Sequence, residues 1–509
     1  MLDSTLTFGP FELDRERASL RQDGREKAVG SRGLALFEVL LEAAGGIVRR
    51  ETLLERAWPG TIVEESNLTV QIAALRKAIG TQPDGQEWIA TVPRVGYRLA
   101  RPVEASSVAF DGKPSIAVLP FANFSDDPSQ GYFADGMVED LITALSRFKT
   151  FAVVARNSSF VFKDRSYDVR EAAKALGVRY VLEGSVRRVD PAVRVTAQLI
   201  DAESGAHIWA EKFDGPLDGL FDFQDRITES VVGAIEPQIR RAEIERSRRK
   251  HPESLDAYDL YLQALPLISS VHGHGYGEAI VLLERAIALD PGFASALAHA
   301  SWAHAKRLGS SEAPPPGVDD ASACVDLAER ALAADSNDAT VLAIAGLHVM
   351  TVKGDLDRGY GLVQRAFSLN PNTFVVANFA GFAHRNHGNF DDAIACHLRA
   401  LRFMPAAPEV IWCYTAIAAA HLSAGRFEEA LAWALRAHDI FDNVEWTQTV
   451  LAAAYAHLDR VDEARAALQP VLAERPGLTI ARLFGPRQNP GAHDQFLVAG
   501  LMKTGIPEH

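Results

Sequence analysis

The sequence predicts a multidomain fold: a small α+β domain, then a mixed α/β domain, then an all-α superhelix of repeated helix pairs. The 509 residues exceed what one domain of about 100–200 residues normally holds. Up to about residue 235, short strand patterns alternate with amphipathic helical patterns. From about residue 260, paired helical patterns recur with a period close to 34 residues, which is the signature of a helical-repeat array.

Composition restricts the class of protein. Charged residues make up 23% and hydrophobic residues 48% of the chain, which is typical of folded globular domains. The three cysteines, Cys324, Cys396 and Cys413, lie in apolar helical patterns, so we expect reduced core thiols and neither disulfides nor zinc. The N-terminus lacks a signal-peptide pattern, and no stretch is apolar enough to span a bilayer. We therefore expect a cytoplasmic, soluble protein without membrane contact.

Residues 1–103 contain three helical patterns followed by two β patterns. Leu34, Phe37 and Leu40 lie at helical spacing with Leu41, and a second helix runs from about Arg50 to Trp58. After the turn at 59–61 comes a third helix over residues 64–79, in which an apolar stripe is spaced 4, 3 and 4 apart: Leu68, Ile72, Leu75 and Ile79. The runs 88–92 and 96–99 form a hairpin around residues 93–95. Helix, turn, helix and hairpin in this order predict a winged helix.

The third helix has a second face that suits DNA. Opposite the apolar stripe lies an arc of mostly small residues with basic edges: Ser66, Val70, Ala73, Ala74 and Lys77, flanked by Asn67, Thr69 and Arg76. A helix with small side chains and basic flanks fits a major groove about 12 Å wide. For any single basic residue, an ordinary solvated helix face or turn remains the alternative.

Three segments, taken in order, resemble the OmpR/PhoB-type winged-helix DNA-binding domain. They are FGPFELDRERASLRQDG, LLERAWPGTIVEESNLTVQIAALRKAIG and WIATVPRVGYRL. The resemblance implies that residues 64–79 enter the major groove, that residues 94–97 reach a minor groove, and that the turn from Trp58 to Glu65 faces phosphate or RNA polymerase. The base-edge candidates are Ser66, Asn67, Thr69, Ala73 and Ala74. The remaining DNA-binding candidates are Arg50, Trp58, Arg76, Lys77, Arg94 and Tyr97. Family members often carry arginines where this chain has Ala73 and Ala74, which favours methyl contacts or shape readout.

A linker at 104–114 leads to a mixed α/β domain at 115–235. The predicted elements are strand SIAVLPF, helix 135–148, strand FAVVA, helix 168–176, three longer strands and a helix from about Leu220. Two segments of this region resemble the TolB-like N-terminal domain: LPFANFSDDPSQGYFADGMVEDLITALSRF and YVLEGSVRRVDPAVRVTAQLIDAESGAHIWAEKFD. The resemblance implies a sensory or coupling module without catalytic residues.

Five carboxylates in this domain could in principle hold a cation: Asp126, Asp127, Asp135, Glu139 and Asp140. We favour a turn at Asp126–Asp127 and a helix cap at Asp135. Phosphate-loop, dinucleotide, nucleophile-elbow and zinc-protease motifs do not occur in the sequence. The domain is therefore expected to be neither an enzyme nor a cofactor binder.

Residues 236–259 form a predicted basic linker helix in which Glu243 and Glu245 interleave with arginines, so a salt-bridged exposed helix is favoured over nucleic-acid contact. Six tetratricopeptide-like units follow at 260–478, and residues 479–509 are expected to cap them. A small residue opens the second helix of each unit: Ala279, Cys324, Gly359, Ala393, Ala430 and Ala464. The concave groove of such an array usually binds a protein or peptide. His384 and His387 invite a metal or pH-sensor hypothesis, but packed aromatic-like positions are favoured.

The order of these regions resembles a one-component bacterial transcription regulator of the broad CadC/HilA-like group. Its output domain is of the kind found in phosphorelay regulators, but no receiver domain precedes it, so phosphoryl transfer is not the expected switch. The expected partners are double-stranded DNA, RNA polymerase and a protein or peptide in the repeat groove, with a dimer on tandem sites. Two alternatives remain: a repeat scaffold whose winged helix contacts protein, and a nucleotide-processing signalling enzyme.

Overall fold

The structure is a computed structural model of the chain. It describes every residue except 1–4, 9–10, 15–18, 23–24, 44–46, 60, 62, 82–86, 93–94, 100–112, 125–130, 164–166, 190–191, 217–219, 252–253, 271–273, 311, 404–409, 485–490 and 509. Two compact units are present: the first comprises Met1–Val108 with Ala175–Gly177, and the second comprises the rest of the middle region and the repeats.

The first unit is an α+β domain with two small sheets. Its strands are β1 (Thr5–Phe8), β2 (Phe11–Asp14), β3 (Ser19–Gln22), β4 (Arg25–Lys27), β5 (Val48–Arg49), β6 (Ile89–Val92) and β7 (Gly96–Leu99). Its helices are α1 (Ser31–Glu42), α2 (Arg50–Ala57) and α3 (Glu65–Ile79). Strands β1 to β4 pair antiparallel in sequence order, and β7 lies between β5 and β6. This is the predicted order of helix, turn, helix and hairpin.

The three helices and the hairpin share one hydrophobic core. The apolar stripe of α3 (Leu68, Ile72, Leu75 and Ile79) is only 1% exposed at each position, which confirms the helical periodicity. Phe11 meets Phe37 and Trp88 edge to face, with ring centroids 5.4 and 4.9 Å apart. The core therefore fixes α3 against both sheets.

The middle region is built on a mixed sheet. Its strands are β8 (Ser115–Val118), β9 (Ala122–Asn123), β10 (Ala152–Val153), β11 (Tyr180–Val189), β12 (Ala192–Asp201) and β13 (Ala206–Pro216). Its helices are α4 (Gly131–Leu145), α5 (Arg156–Ser159), α6 (Val169–Leu176) and α7 (Leu220–Arg248). The described strands lie in the order β10-β8-β11-β12-β13, with β9 beside β11. Strand β8 is parallel to its neighbours, and β11 to β13 form an antiparallel meander.

One prediction in this domain was wrong. Helix α4 begins at Gly131, so Asp135 lies inside the helix rather than at its N-cap. Its carboxylate instead pairs with the ammonium group of Lys163, and Glu139 lies 3.6 Å from Arg156. Asp126 and Asp127 fall outside the described residues.

Helix α7 continues through the boundary expected at residue 235. Ile235 and Ile239 lie in the same core as the sheet, so the helix extends beyond the predicted end of the domain. Glu243, expected on an exposed helix, is 3% exposed. Its carboxylate accepts hydrogen bonds from the hydroxyl of Tyr180 at 2.6 Å and the guanidinium of Arg179 at 2.5 Å. Some of the charged side chains of this segment therefore form a buried hydrogen-bond network rather than an exposed helix face.

Within the described residues, the repeats form six helix pairs. They are α8 (Ala257–Ile268) with α9 (Tyr276–Leu289), α10 (Ala294–Leu308) with α11 (Asp320–Ala334), α12 (Ala339–Thr351) with α13 (Leu356–Leu369), α14 (Phe374–Asn386) with α15 (Phe390–Phe403), α16 (Val410–Ser423) with α17 (Phe427–His438), and α18 (Glu445–His457) with α19 (Val461–Glu474). Every small residue used to count the repeats is buried. At Gly359 an added Cβ would lie 2.5 Å from the Cβ of Met350 and 2.6 Å from the carbonyl oxygen of Gly346. These positions mark the close helix contacts that set the period.

Four of the described histidines in the repeats are buried, and three of them have a lowered pKa: His299, His348 and His397. Burial lowers the pKa of His299 to about 4 and the pKa values of His348 and His397 to about 3. These three residues, called the buried repeat histidines below, are therefore neutral in the folded chain near pH 7.

Helix α7 joins the middle region to the repeats. An added Cβ at Gly233 would lie 2.2 Å from the ring of Phe403 in α15. Arg399, also in α15, donates to the carboxylate of Glu229 at 2.8 Å. Further along, the hydroxyl of Ser247 donates to the carbonyl oxygen of Asp259 at 3.0 Å. One helix therefore packs in both parts of the second unit.

The C-terminal segment forms α20 (Ile480–Phe484) and α21 (Gln495–Thr504). Helix α21 packs on α18, where an added Cβ at Gly500 would lie 2.8 Å from the backbone of Ala453. Before α21, Asp494 accepts a hydrogen bond from the guanidinium of Arg385 at 2.5 Å, and both side chains are at least 92% buried. None of the described helices combines the length and the apolarity that a membrane span requires.

Candidate nucleic-acid interface

Helix α3 is held at both ends by local backbone features. The amide of Asn67 donates to the carbonyl oxygen of Glu64 at 3.0 Å in the first turn. The helix ends at Gly80, which has φ of 72°, a left-handed value that glycine adopts without steric cost. With its apolar stripe in the core, α3 has one possible outward face.

The predicted base-edge candidates lie together on that outward face. All five are exposed: Ser66, Asn67, Thr69, Ala73 and Ala74. Val70, between them, is also exposed, at 63%. Helical spacing predicted that the five candidates share this face. Val70 lies on the same predicted arc but was not predicted to contact a base.

The two adjacent basic residues of α3 have different surroundings. Lys77 is exposed and forms no ion pair within the part of the chain that the structure describes. Arg76 turns back onto the hairpin: its guanidinium donates to the carbonyl oxygen of Ile89 at 3.0 and 2.6 Å and to the hydroxyl of Thr91 at 2.8 Å. It also lies 2.8 Å from the carboxylate of Glu87. These contacts tie the hairpin to α3, and the predicted contact of Arg76 with DNA stays a prediction.

Two of the residues predicted to contact DNA have buried side chains. Trp58 is 5% exposed and Tyr97 is 4% exposed, so neither ring is presented to a ligand. The guanidinium of Arg32 lies 5.6 Å from the centroid of the Trp58 ring. Trp58 therefore packs at the end of α2, and Tyr97 anchors the wing in the core.

Arg50 opens α2, next to the hairpin. Its backbone amide donates to the carbonyl oxygen of Val95 at 3.3 Å, and its side chain is half-buried. Arg94 lies outside the described residues, so its predicted minor-groove role stays a prediction. The wing also carries Arg98, exposed on β7; strand alternation with the buried Tyr97 could have identified it.

Gly96 brings β7 against β5. An added Cβ at this position would lie 1.9 Å from the carbonyl oxygen of Val48, far inside van der Waals contact. The pairing of Val48 with Tyr97 and of Arg49 with Gly96 thus requires glycine here. This close approach fixes the wing beside the N-terminus of α2.

The other candidate clusters are packing features. The ring of His387 stacks on Tyr360 with centroids 4.1 Å apart. Nδ1 of His384 lies 3.2 Å from the Tyr360 hydroxyl, and its Nε2 lies 3.0 Å from the amide nitrogen of Gln364. Among the described residues, no group of three or more histidine, cysteine or acidic side chains has a metal-binding arrangement.

Family models match three parts of the chain. The model for the C-terminal domain of transcriptional regulatory proteins matches residues 24–99. The model for the second domain of HilA/YgeH-like transcriptional regulators matches residues 112–230, and a tetratricopeptide repeat model matches residues 372–443. The chain therefore carries an OmpR/PhoB-type regulatory domain. A HilA-like domain and tetratricopeptide repeats follow it.

Individual relatives cover smaller parts. A predicted adenylate cyclase of Rhizobium meliloti (strain 1021), adenylate cyclase 3, is 46% identical over 189 residues, which are 37% of this chain and 32% of that protein. The transcriptional regulator HilA of Salmonella typhimurium (strain LT2) is 28% identical over 182 residues, which are 35% of this chain and 32% of that protein. The matches thus span about a third of the length of these two curated relatives.

Among solved structures, the DNA-binding domain of Escherichia coli CadC is 26% identical, with a TM-score of 0.19. That match covers 20% of this chain and 94% of the CadC domain. For the middle region the family match is to the HilA/YgeH-like second domain, and its resemblance to TolB stays a prediction.

Proposed function

We propose that the chain is a sequence-specific DNA-binding regulator of transcription, of the one-component type. Helix α3 enters the major groove with its outward face, and the wing reaches an adjacent minor groove. The OmpR/PhoB-type and HilA-like matches support this proposal. RNA polymerase and a second copy on tandem sites complete the proposed assembly.

The observation that carries the proposal is the outward face of α3. Asn67 can form two hydrogen bonds with an adenine edge, and Val70, Ala73 and Ala74 present methyl groups that suit the methyl group of thymine. Lys77, at the edge of the same face, is available for a phosphate. Small apolar side chains at the centre, with a cation at the edge that forms no ion pair among the described residues, suit a helix that reads a groove through methyl contacts.

The repeats supply the regulatory part of the proposal. Binding of a protein or peptide to the repeat groove, or of a small molecule to the second unit, changes how the winged helix is presented to a promoter. The resemblance of the middle region to a TolB-like coupling module is consistent with this role. Activation and repression are both compatible with the mechanism.

The direct test is selection of genomic DNA fragments by the purified full-length protein at near-physiological salt. The wild type is compared with Lys77→Ala and Asn67→Ala, and Lys174→Ala serves as control because Lys174 is an exposed lysine on α6. We expect a tandem motif from the wild type and the control. Loss of one phosphate contact in Lys77→Ala should reduce the slope of log K against log salt by about 0.9 and weaken binding to all sequences alike.

Asn67→Ala should behave differently. Loss of a bidentate base contact costs about 1–3 kcal/mol at the matched site only, so the motif should lose information at one position while nonspecific binding stays unchanged. If no sequence is enriched at any salt concentration, and Lys77→Ala abolishes binding of a protein partner instead, the scaffold alternative replaces the regulator. An assay for product from ATP or GTP tests the enzyme alternative suggested by the cyclase relative.

A further inference from the structure

The first helices of the four central repeats carry no acidic residue. These helices, α10, α12, α14 and α16, are called the inner layer below, and their sequences contain neither aspartate nor glutamate, although the whole chain has a net charge of -14. Their partners α11, α13, α15 and α17 all contain acidic residues. Successive helices of the inner layer pack on one another, so they line the concave side of the stack. The helices on this side therefore contribute no negative charge.

Side chains from helices that are not neighbours in the stack meet across the concave side. The ammonium group of Lys306 in α10 lies 4.1 Å from the centroid of the Trp412 ring in α16. Trp302, about one turn before Lys306, meets Phe379 of α14 edge to face, with ring centroids 5.0 Å apart. Because α12 lies between α10 and α14 in the repeat order, these contacts form on the inner face. Lys306 is thus a cation between aromatic side chains.

Lys306 is half-buried and has no carboxylate partner among the described residues. Burial lowers the pKa of Lys306 to about 8, so the side chain stays mostly charged near pH 7. The adjacent Arg307 bonds to an outer helix instead: its guanidinium donates to the carboxylate of Asp320 in α11 at 3.0 and 2.6 Å. A desolvated charge without a partner is costly, and a carboxylate that reached Lys306 would offset this cost.

The C-terminal segment of the chain is an internal example of a ligand for this side of the repeats. Helix α21 packs on α16 and α18, and just before it the carboxylate of Asp494 pairs with the guanidinium of Arg385 in α14 at 2.5 Å. Two positions later, the ring of Phe496 packs edge-on against Phe427 and His457, with centroids 5.4 and 5.7 Å away. An acidic and an aromatic side chain of one segment therefore engage a basic and an aromatic site of the repeats.

We propose that the concave side around Lys306 binds an acidic peptide, with an aspartate or glutamate carboxylate on the Lys306 ammonium group and an aromatic side chain against Trp302 and Trp412. Charge complementarity selects the acid, because the inner layer has no acidic side chain to repel it. The aromatic rings supply apolar surface beside the charge. This assigns a chemistry to the peptide partner of the proposed function; the regulatory consequence of binding rests on that function, but the binding itself does not.

The test begins with selection by the full-length protein from a displayed library of random peptides of about 12 residues, which span up to about 40 Å when extended. We expect the enriched peptides to carry an acidic residue close in sequence to an aromatic one. The most enriched peptide is then labelled with a fluorophore and titrated by anisotropy. Failure to enrich acidic peptides would overturn the proposal. Equally effective displacement of the peptide by single-stranded RNA of similar length would show a general anion site and would also overturn it.

A double-mutant cycle locates the carboxylate. Lys306→Gln should weaken the peptide at least about tenfold, and so should replacement of the acidic residue of the peptide by its amide. The two changes together should cause little further loss, because they remove the same contact. Additive losses, or unchanged affinity in Lys306→Gln, would overturn the proposal. Lys174→Gln makes the same charge change at an exposed lysine of α6 and is the control that should bind normally.

A second variant and a second measurement complete the test. Trp412→Leu keeps the charge but removes an aromatic wall, and it remains informative if Lys306→Gln fails to fold; it should weaken the peptide at least about fivefold. Unchanged peptide binding in Trp412→Leu would contradict the aromatic part of the site. Sedimentation velocity is run without peptide. Self-association that Lys306→Gln abolishes would make a second copy of the chain the occupant and overturn the proposal.

The same protein is then titrated with its selected DNA in the presence and absence of the peptide. A change in DNA affinity that is absent in Lys306→Gln supports the regulatory consequence, and unchanged DNA affinity with the peptide bound refutes it. Peptide binding without any DNA binding would refute the regulator function and leave the peptide site standing. DNA binding without any peptide binding would refute the peptide site alone.

Discussion

Replacing Arg76 by methionine should loosen the wing of the N-terminal domain, whereas the same change at the neighbouring Lys77 should not. Arg76 donates two hydrogen bonds to the carbonyl oxygen of Ile89 and one to the hydroxyl of Thr91, and its side chain is 23% exposed. Hydrogen bonds with a charged partner contribute about 1.5–3 kcal/mol, and the half-exposed pair with Glu87 adds at most about 1 kcal/mol. We expect a loss of about 2–3 kcal/mol in the local stability of the hairpin.

Hydrogen–deuterium exchange of the full-length protein measures this loss. For amides of β6 and β7 it corresponds to about 30- to 150-fold faster exchange, with the helices of the repeats unchanged. Lys77→Met is the matched control, because it removes an adjacent charge of the same sign without a described partner. Exchange in the two strands within about twofold of wild type for Arg76→Met, or equal acceleration by both variants, would refute the assignment of Arg76 to the wing.

Three further predictions concern the wing, the repeats and the C-terminal cap. Gly96→Ala should cost about 3 kcal/mol and abolish DNA binding, because its Cβ would lie 1.9 Å from the Val48 carbonyl oxygen; Gly30→Ala, with nothing within 4 Å, should be tolerated in the same exchange and binding assays. The buried repeat histidines have folded pKa values below the unfolded value of about 6.5, so their stabilisation is complete above that pH and lost as the pH falls. Chemical denaturation should show the repeats losing about 3–4 kcal/mol per pH unit between about pH 6 and 4.5, and a flat profile there would contradict this. Burial alone would raise the pKa of Asp494, but hydrogen bonding and pairing with His493 and Arg385 lower this pKa to about 2. Asp494 therefore stabilises the cap above about pH 4, and this contribution is lost as the pH falls through about 2. Asp494→Asn should therefore speed amide exchange in α21 at neutral pH by at least about 20-fold, and unchanged protection would show that the pair does not hold the cap.

Periodicity predicted the parts of the fold that bury one face. The stripe on α3 and the small residues of the repeats follow from helical spacing and repeat length alone, and each lies in the core as expected. The outward arc of α3 was predicted by the same argument, since the face opposite a buried stripe must be exposed. Helical periodicity can be recognised without knowing which segments pack together.

Side-chain direction could not be predicted in this way. Arg76 and Lys77 are neighbours of the same charge, and only the position of the hairpin decides that one bonds to Ile89 and the other faces outward. Trp58 sits in a turn that the family resemblance places near DNA, yet its ring fills the core. Each outcome depends on a tertiary contact between segments far apart in the sequence.

The course of α7 was missed for a related reason. Its second half is rich in arginine and glutamate, a composition typical of exposed helices. In the structure Glu243 is buried because Arg179 and Tyr180, from another part of the chain, satisfy its carboxylate. A charge pattern predicts a solvated helix only where no such partners exist.

Helix α7 also limits how this chain could have been assembled by gene fusion. With 29 residues it is about 43 Å long, and its two halves lie in the core of the middle region and against α8 and α15 of the repeats. A recombination breakpoint at the end of the sheet would cut the helix and expose both surfaces. The exchangeable module is therefore the middle region together with the repeats that α7 contacts. Natural fusions that carry this module should preserve residues 113–403 as one block. Chimaeras joined near residue 235 should aggregate rather than fold.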